Sequence, residues 1–204
     1  MIFVQMLIGR LMNFTYLIGD EDSGLAAVVD PAGDANRILK ETEKHGLKII
    51  YIINTHAHFD HVMANEDLAS KTKAKIIMHE KSRAMKDISV KDDDIIEIGR
   101  LKMRVIHTPG HTPESMCLLI DKKLITGDTL FVGGCGRTDL PGGNPEELYN
   151  SLLKLTTLDD DVEIYPGHDY GEKPYSTIGY EKDHNYALSF SKKEGFIRFM
   201  GGSL

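Results

Sequence analysis

Thr55-His56-Ala57-His58-Phe59-Asp60-His61 puts three imidazoles and one carboxylate into the six consecutive positions 56–61. The run before it, Lys48 to Ile53, is continuous and apolar, the pattern of a strand buried within a sheet. A strand end feeding a loop is where a rigid scaffold presents functional groups. His56 and His58 are two apart, so on extended chain both imidazoles point to one side and can grip one ion together. Asp60 and His61 follow as the chain turns into the next helix and can face a second ion. Imidazole and carboxylate ligands suit zinc, iron or manganese. So dense a set has few purely structural explanations.

Elsewhere in the chain the same arrangement recurs. Thr108-Pro109-Gly110-His111-Thr112, Thr126-Gly127-Asp128 and Pro166-Gly167-His168 each bring a ligand-type residue just after an expected strand. Five of the nine histidines sit in these motifs. A lone loop histidine is usually a surface or core residue; the ordered set is what carries weight. Six groups and one shared carboxylate would fill two metal positions and leave room for water. His45, His79, His107 and His184 lie outside the motifs and receive no metal role. The Asp triplets at 92–94 and 159–161 lack the spaced oxygen ligands of a calcium loop and read as solvated turns.

The remaining elements frame these motifs. Ile2 to Ile8, Phe14 to Ile18 and Leu25 to Val29 read as strands, broken by Gly19, Gly24 and Asp30-Pro31. Asp34 reads as the N-cap of a helix from Ala35 to His45 that Gly46 closes. Helices are expected at Val62 to Lys71, at Pro145 to Leu155 with Pro145 in its first turn, and at Ser176 to Ser191. Strands are expected at Lys75 to Met78, around Ile98, and at Leu101 to Ile106, Met116 to Ile120, Lys123 to Thr126 and Val162 to Tyr165. There is no clean βαβ alternation. The order suggests two sheets with helices on their outer faces, a four-layer α/β arrangement in one domain spanning 1–204.

Bulk properties narrow the partners. The net charge of −7 argues against a nucleic-acid surface, which needs a basic face. The apolar start Met1 to Gly9 lacks a basic region and a cleavage site and is too short to cross a bilayer, so no membrane association is expected. Two cysteines, Cys117 and Cys135, form neither a disulfide framework nor a CxxC motif, and the simple reading is a reducing, cytoplasmic compartment. Cys135 reads as a buried structural thiol, since no base is paired with it in the sequence.

The order His-x-His-x-Asp-His, Gly-His, Gly-Asp, Gly-His resembles the metallo-β-lactamase superfamily, from Val29-Asp30-Pro31 to the helix after His168. The resemblance implies an αββα four-layer sandwich of two mixed sheets with a metal site at one edge. It assigns His56, His58 and His111 to a first metal, Asp60, His61 and His168 to a second, and Asp128 between them. Thr126 to Arg137 looks like the glyoxalase II group, which hydrolyses S-acyl thioesters such as S-lactoylglutathione. Arg137-Thr138-Asp139, His168-Asp169-Tyr170-Gly171 and Ser176-Thr177-Ile178-Gly179 also look like persulfide dioxygenases, a sister group holding one iron.

These resemblances imply two activities. The first is a hydrolase with two divalent ions, zinc foremost and iron or manganese as options; the ions lower the pKa of water and stabilise the oxyanion. Asp60 would then hold a metal and orient the nucleophile, as the catalytic carboxylate. The alternative is an oxygenase with one Fe(II) on His56, His111 and Asp128, the remaining groups acting through hydrogen bonds. A non-catalytic metal-binding or redox-sensing module is the third possibility. Arg137 and Tyr170 are candidate contacts to a small thiol-derived substrate, with a surface ion pair and a packed ring as their plainer roles. Asp30 can orient a ligand imidazole or cap the turn before Pro31. Only 36 residues follow His168 in the 204-residue chain, too few for the helical substrate domain of eukaryotic glyoxalase II, so its glutathione contacts are not carried over.

Overall fold

The computed structural model describes residues 1–201. Two mixed six-stranded sheets face each other. The first has the order β1 (Ile2–Ile8), β2 (Asn13–Asp20), β3 (Leu25–Val29), β4 (Lys48–Ile53), β5 (Lys75–His79), β6 (Ile88–Val90). Its first three strands run antiparallel and β3 to β6 run parallel. The second has the order β14 (Ser176–Thr177), β13 (Glu163–Pro166), β10 (Lys123–Gly127), β9 (Met116–Ile120), β8 (Leu101–His107), β7 (Ile95–Ile98). A small hairpin, β11 (Leu130–Phe131) with β12 (Gly134–Cys135), stands apart.

Three apolar clusters explain the layering. One is built only from strand residues of both sheets, including Tyr16, Val29, Ile53, Met103, Leu118 and Ile125, and fills the space between them. A second packs the outer face of the first sheet against α1 (Ala35–Lys44) and α3 (Asn65–Thr72), with Ile38 and Leu68 fully buried. The third packs the second sheet against α4 (Pro145–Leu155), α5 (Ile178–His184) and α6 (Lys193–Met200), through Leu148, Ile178 and Phe196. This is the expected αββα sandwich. Burying each such side chain contributes about 1.5–3 kcal/mol. Among the described residues no helix is long and apolar enough to cross a membrane.

Two expected helices come out differently, for tertiary reasons. The helix expected at Val62 to Lys71 is two helices, a single turn α2 (Phe59–Val62) and then α3. The Ala64 amide bonds to the Pro31 carbonyl at 2.9 Å instead of continuing the helical ladder, and Asn54 holds the His61 carbonyl at 2.9 Å. The early start of α2 places Asp60 and His61 on a helical turn. The helix expected at Ser176 to Ser191 begins with strand β14, which pairs with β13, and α5 ends at Asn185. There the Asn185 side chain turns to the carbonyls of Phe131 and Gly134. Strand β6 and hairpin β11–β12 are too short to carry a periodic pattern, and helix α6 (Lys193–Met200) lies outside the expected elements although its sequence is amphipathic. By contrast α4 has the expected bounds, with Asn144 accepting from Glu146 and Glu147 and Pro145 in the first turn.

The topology explains where the site must lie. β8 and β10 are both antiparallel to β9, and β10 is parallel to β13, so β8, β10 and β13 share one direction. Their C-terminal ends, followed by His111, Asp128 and His168, therefore meet at one edge of the sheet. Gly110 makes the first of these loops possible. Its φ is +135°, and a Cβ there would stand 2.2 Å from the Leu148 amide nitrogen in α4. Gly110→Ala is expected to cost about 2–5 kcal/mol, the sum of backbone strain and overpacking. Denaturant unfolding checks this; a loss below about 1 kcal/mol would mean that α4 yields easily there.

Candidate metal centre

All seven ligand-type residues converge at this edge. His56 and His58 follow β4, Asp60 and His61 ride on α2, and His111, Asp128 and His168 come from the loops after β8, β10 and β13. Their reactive atoms form three overlapping groups, each within 4.8 Å: His56 with His58 and His111; Asp60 with His61 and His168; and His56 with His61 and Asp128. His58 Nδ1 lies 3.1 Å from His56 Nε2 and 2.9 Å from His111 Nε2. His61 Nε2 and His168 Nε2 are 3.2 Å apart, and Asp60 Oδ2 is 3.6 and 3.5 Å from them. Asp128 stands between the groups, its Oδ1 3.4 Å from His61 Nε2 and its Oδ2 3.3 Å from His168 Nε2 and 3.6 Å from His111 Nε2.

The surrounding hydrogen bonds fix which nitrogens face inward. His111 Nδ1 donates to the Arg137 carbonyl at 2.8 Å, and His168 Nδ1 to the Leu11 carbonyl at 2.8 Å. A carbonyl only accepts, so each Nδ1 carries the proton and each Nε2 offers a lone pair. His61 Nδ1 donates to Asp30 Oδ2 at 3.1 Å. Thr55 Oγ1 donates to the same carboxylate at 2.6 Å and so accepts from His56 Nδ1 at 3.2 Å. The inward Nε2 atoms of His56, His61, His111 and His168 are thus acceptors, and the close approach of His61 to His168 becomes favourable only with a proton or a cation between them.

Other features of the pocket fit a cation as well. Asp128 Oδ1 is buried and, among the described residues, has no well-aligned hydrogen-bond partner, His61 Nε2 standing 3.4 Å away. Gly167 leaves space beside it, for a Cβ there would lie 2.2 Å from that oxygen. The donor set of imidazoles and carboxylates suits a transition-metal ion of the zinc, iron or manganese kind. Without metal, protons fill part of this role. Burial opposes charge on His61, yet the Asp128 and Asp30 carboxylates outweigh it and raise its pKa well above 6.5. Burial and neighbouring histidines push His56 well below that value, so it stays neutral.

Asp30 does more than cap a turn. Fully buried at φ +48°, it accepts from the Thr55 amide at 2.8 Å, from Thr55 Oγ1 and from His61 Nδ1, and so orients two of the clustered imidazoles, His61 directly and His56 through Thr55. Asn tolerates this backbone region, so Asp30→Asn isolates the carboxylate from the strain. Its amide must face one of three donors. Metal affinity is expected to fall about 10–100-fold, the range for lost outer support of metal ligands. Competition with a chelator measures it, and unchanged affinity would show that His56 and His61 hold their orientation unaided.

The substrate side is a cavity of about 560 Å³ opening over the metal groups. Leu11, Phe59, Phe131 and Val132 give it apolar walls; Arg137, Tyr170 and Tyr186 supply polar groups. Tyr170 is 58% exposed, stacks on His168 and donates to the Leu11 carbonyl at 3.3 Å. The Arg137 guanidinium is engaged by Asp139 in a two-pronged ion pair at 2.6 and 2.5 Å. Its backbone carbonyl, which holds His111, is a support the sequence did not reveal. Cys135 also lines the cavity, but burial pushes its thiol up to about 12, the state of an inert sulfur. His45, His79, His107 and His184 lie outside all three groups; His79 and His107 stack on each other with centroids 4.0 Å apart.

Residues 8–168 match the family model described as the metallo-beta-lactamase superfamily. The mitochondrial persulfide dioxygenase ETHE1 of Homo sapiens is 36% identical over 93% of this chain and 76% of its own length. A hydroxyacylglutathione hydrolase of Maricaulis maris is 42% identical over 78% of this chain, a span that covers 63% of the hydrolase. Among solved structures, ETHE1 from Myxococcus xanthus superposes with a TM-score of 0.95 at 36% identity, covering 99% of this chain and 91% of that one. The matched span takes in every strand end that feeds the centre, and the clustered residues follow the order His-x-His-x-Asp-His, Gly-His, Gly-Asp, Gly-His. This chain therefore belongs to the metallo-β-lactamase superfamily of metal-dependent enzymes.

Proposed function

We propose that this protein hydrolyses an S-acyl thioester of a small thiol, using two divalent ions, zinc foremost. The observation behind this reading is the place of Asp128. Its carboxylate touches both ligand groups, as a residue spanning two ions would. His56, His58 and His111 would hold one ion and Asp60, His61 and His168 the other. A bound pair supplies a nucleophile at neutral pH and neutralises charge developing on the carbonyl oxygen.

The chain's own residues supply the rest. Leu11, Phe59, Phe131 and Val132 seat the acyl group and exclude water around it. Asp60 and Asp128 balance the positive charge, and Asp60 is the carboxylate placed to orient the attacking water. A free thiol has a pKa near 8.5, so the thiolate leaves without a dedicated acid. Tyr170 and Tyr186 offer hydroxyls at the cavity wall to the thiol portion. Arg137 can meet an anionic tail there, in exchange for Asp139 or together with it.

A second reading has its own support. The Myxococcus xanthus ETHE1 match runs nearly end to end, which favours a persulfide dioxygenase with one Fe(II). His56 neighbours His111 in one group and Asp128 in another, and His111 Nε2 is 3.6 Å from Asp128 Oδ2, so these three residues are also within reach of a single ion. Paired assays separate the two activities. Thioester turnover without persulfide-dependent oxygen uptake is expected; oxygen uptake without thioester turnover would replace the first reading with the second.

A further inference from the structure

The two ligand groups are supported by different parts of the chain. His111 is held by the Arg137 carbonyl and His56 by Thr55, both away from the N-terminus. Two of the three second-group ligands are instead tied to the connection between β1 and β2. Asn13, only 1% exposed, donates from Nδ2 to Asp60 Oδ2 at 2.8 Å. That oxygen is the one facing His61 and His168. Leu11 gives its carbonyl to His168 Nδ1, and the same carbonyl accepts from Tyr170.

The backbone fastens this connection to the His168 loop on both sides. The Asp169 amide donates to the Met12 carbonyl and the Phe14 amide to the Gly167 carbonyl, each at 2.8 Å, and Asn13 forms a bridge with His168. Met12 sits at φ +59°, a left-handed conformation costly for a residue with a side chain. The Leu11 and Met12 side chains are nearly half exposed. The segment's polar atoms, not its apolar burial, hold it against the site.

We propose that Leu11-Met12-Asn13 is a dedicated support for the second metal position, with Asn13 as its positioning residue, and that it decides whether that position fills; this rests on the two-ion reading. His61, the third ligand of the group, is held by Asp30, which also serves the first group through Thr55. Asn13 therefore touches the second position alone. Loss of an outer hydrogen-bond partner typically costs 10–100-fold in metal affinity.

The test is a Zn²⁺ titration of the full chain against a chromophoric chelator, for the unmodified protein, Asn13→Leu and Asn13→Ala. Two equivalents are expected in the unmodified protein. In the variants the first should bind as before, which also reports a folded centre, and the second should weaken about 10–100-fold. Equal weakening of both equivalents, or an unchanged second one, in both variants would overturn the proposal while leaving two-ion binding standing. One equivalent in the unmodified protein would overturn the two-ion reading and the proposal with it.

Discussion

Asp128→Asn is expected to lower turnover by about 10³-fold or more. The substitution keeps the shape and removes the one negative charge that both ligand groups share. Charge stabilisation by metal centres amounts to several kcal/mol, and about 4 kcal/mol corresponds to roughly 10³ in rate. The Asp128 side chain accepts no backbone hydrogen bond among the described residues, so the surrounding frame should survive. Steady-state kinetics with circular dichroism tests this. A folded variant within tenfold of the parent would remove Asp128 from the centre. The neighbouring Gly127-to-Gly167 backbone bond, at 2.8 Å, is independent of the carboxylate and should persist in either case.

Metal removal is the second large effect. At free metal near a thousand times Kd, binding stabilises the native state by about 4 kcal/mol, or on the order of 10 °C in Tm for a chain of this size. What remains in the metal-free protein depends on pH. Burial works against the charged form of His61, but Asp128 and Asp30 prevail and raise its pKa. His168 is raised too, burial again being outweighed by Asp128. Their contribution is fully present below the ordinary value of 6.5 and is lost as pH climbs through the raised values. Asp128 has the opposite sign: burial raises its pKa, but His61 and His168 bring it well below 3.8. Its contribution is present above 3.8 and is lost as acid passes the depressed value.

Metal binding must then expel the proton that His61 keeps between the carboxylates. Affinity should rise with pH by about tenfold per unit for each proton released. Calorimetry in buffers of different ionisation enthalpy counts those protons. Zero proton release near neutrality would contradict the protonated His61 of the metal-free state.

Much of this was legible in the sequence because the chemistry is local. His56, His58, Asp60 and His61 lie within one strand-to-helix turn, and the Gly-His and Gly-Asp steps sit at strand ends that hydrophobic runs announce. The two-sheet sandwich followed from the same runs. The supports were hidden because their partners are distant in the chain: Asn13 meets Asp60 across 47 positions and Leu11 meets His168 across 157. Nothing around Asn13 marks it as more than a strand residue. Asp30 is open to both readings in the sequence, orienting an imidazole or capping the turn before Pro31, and only the pairing of β3 with β4, which brings Thr55 and His61 to it, decides between them. The split of α2 from α3 likewise depends on Pro31 and Asn54, contacts with no periodic signature.

Anomalous diffraction from crystals of the metal-loaded protein goes straight to the seven-residue centre. Two ions are expected, one among His56, His58 and His111 and one among Asp60, His61 and His168, with Asp128 beside both. A single ion at full metal loading, or ions bound away from these residues, would contradict the two-metal site.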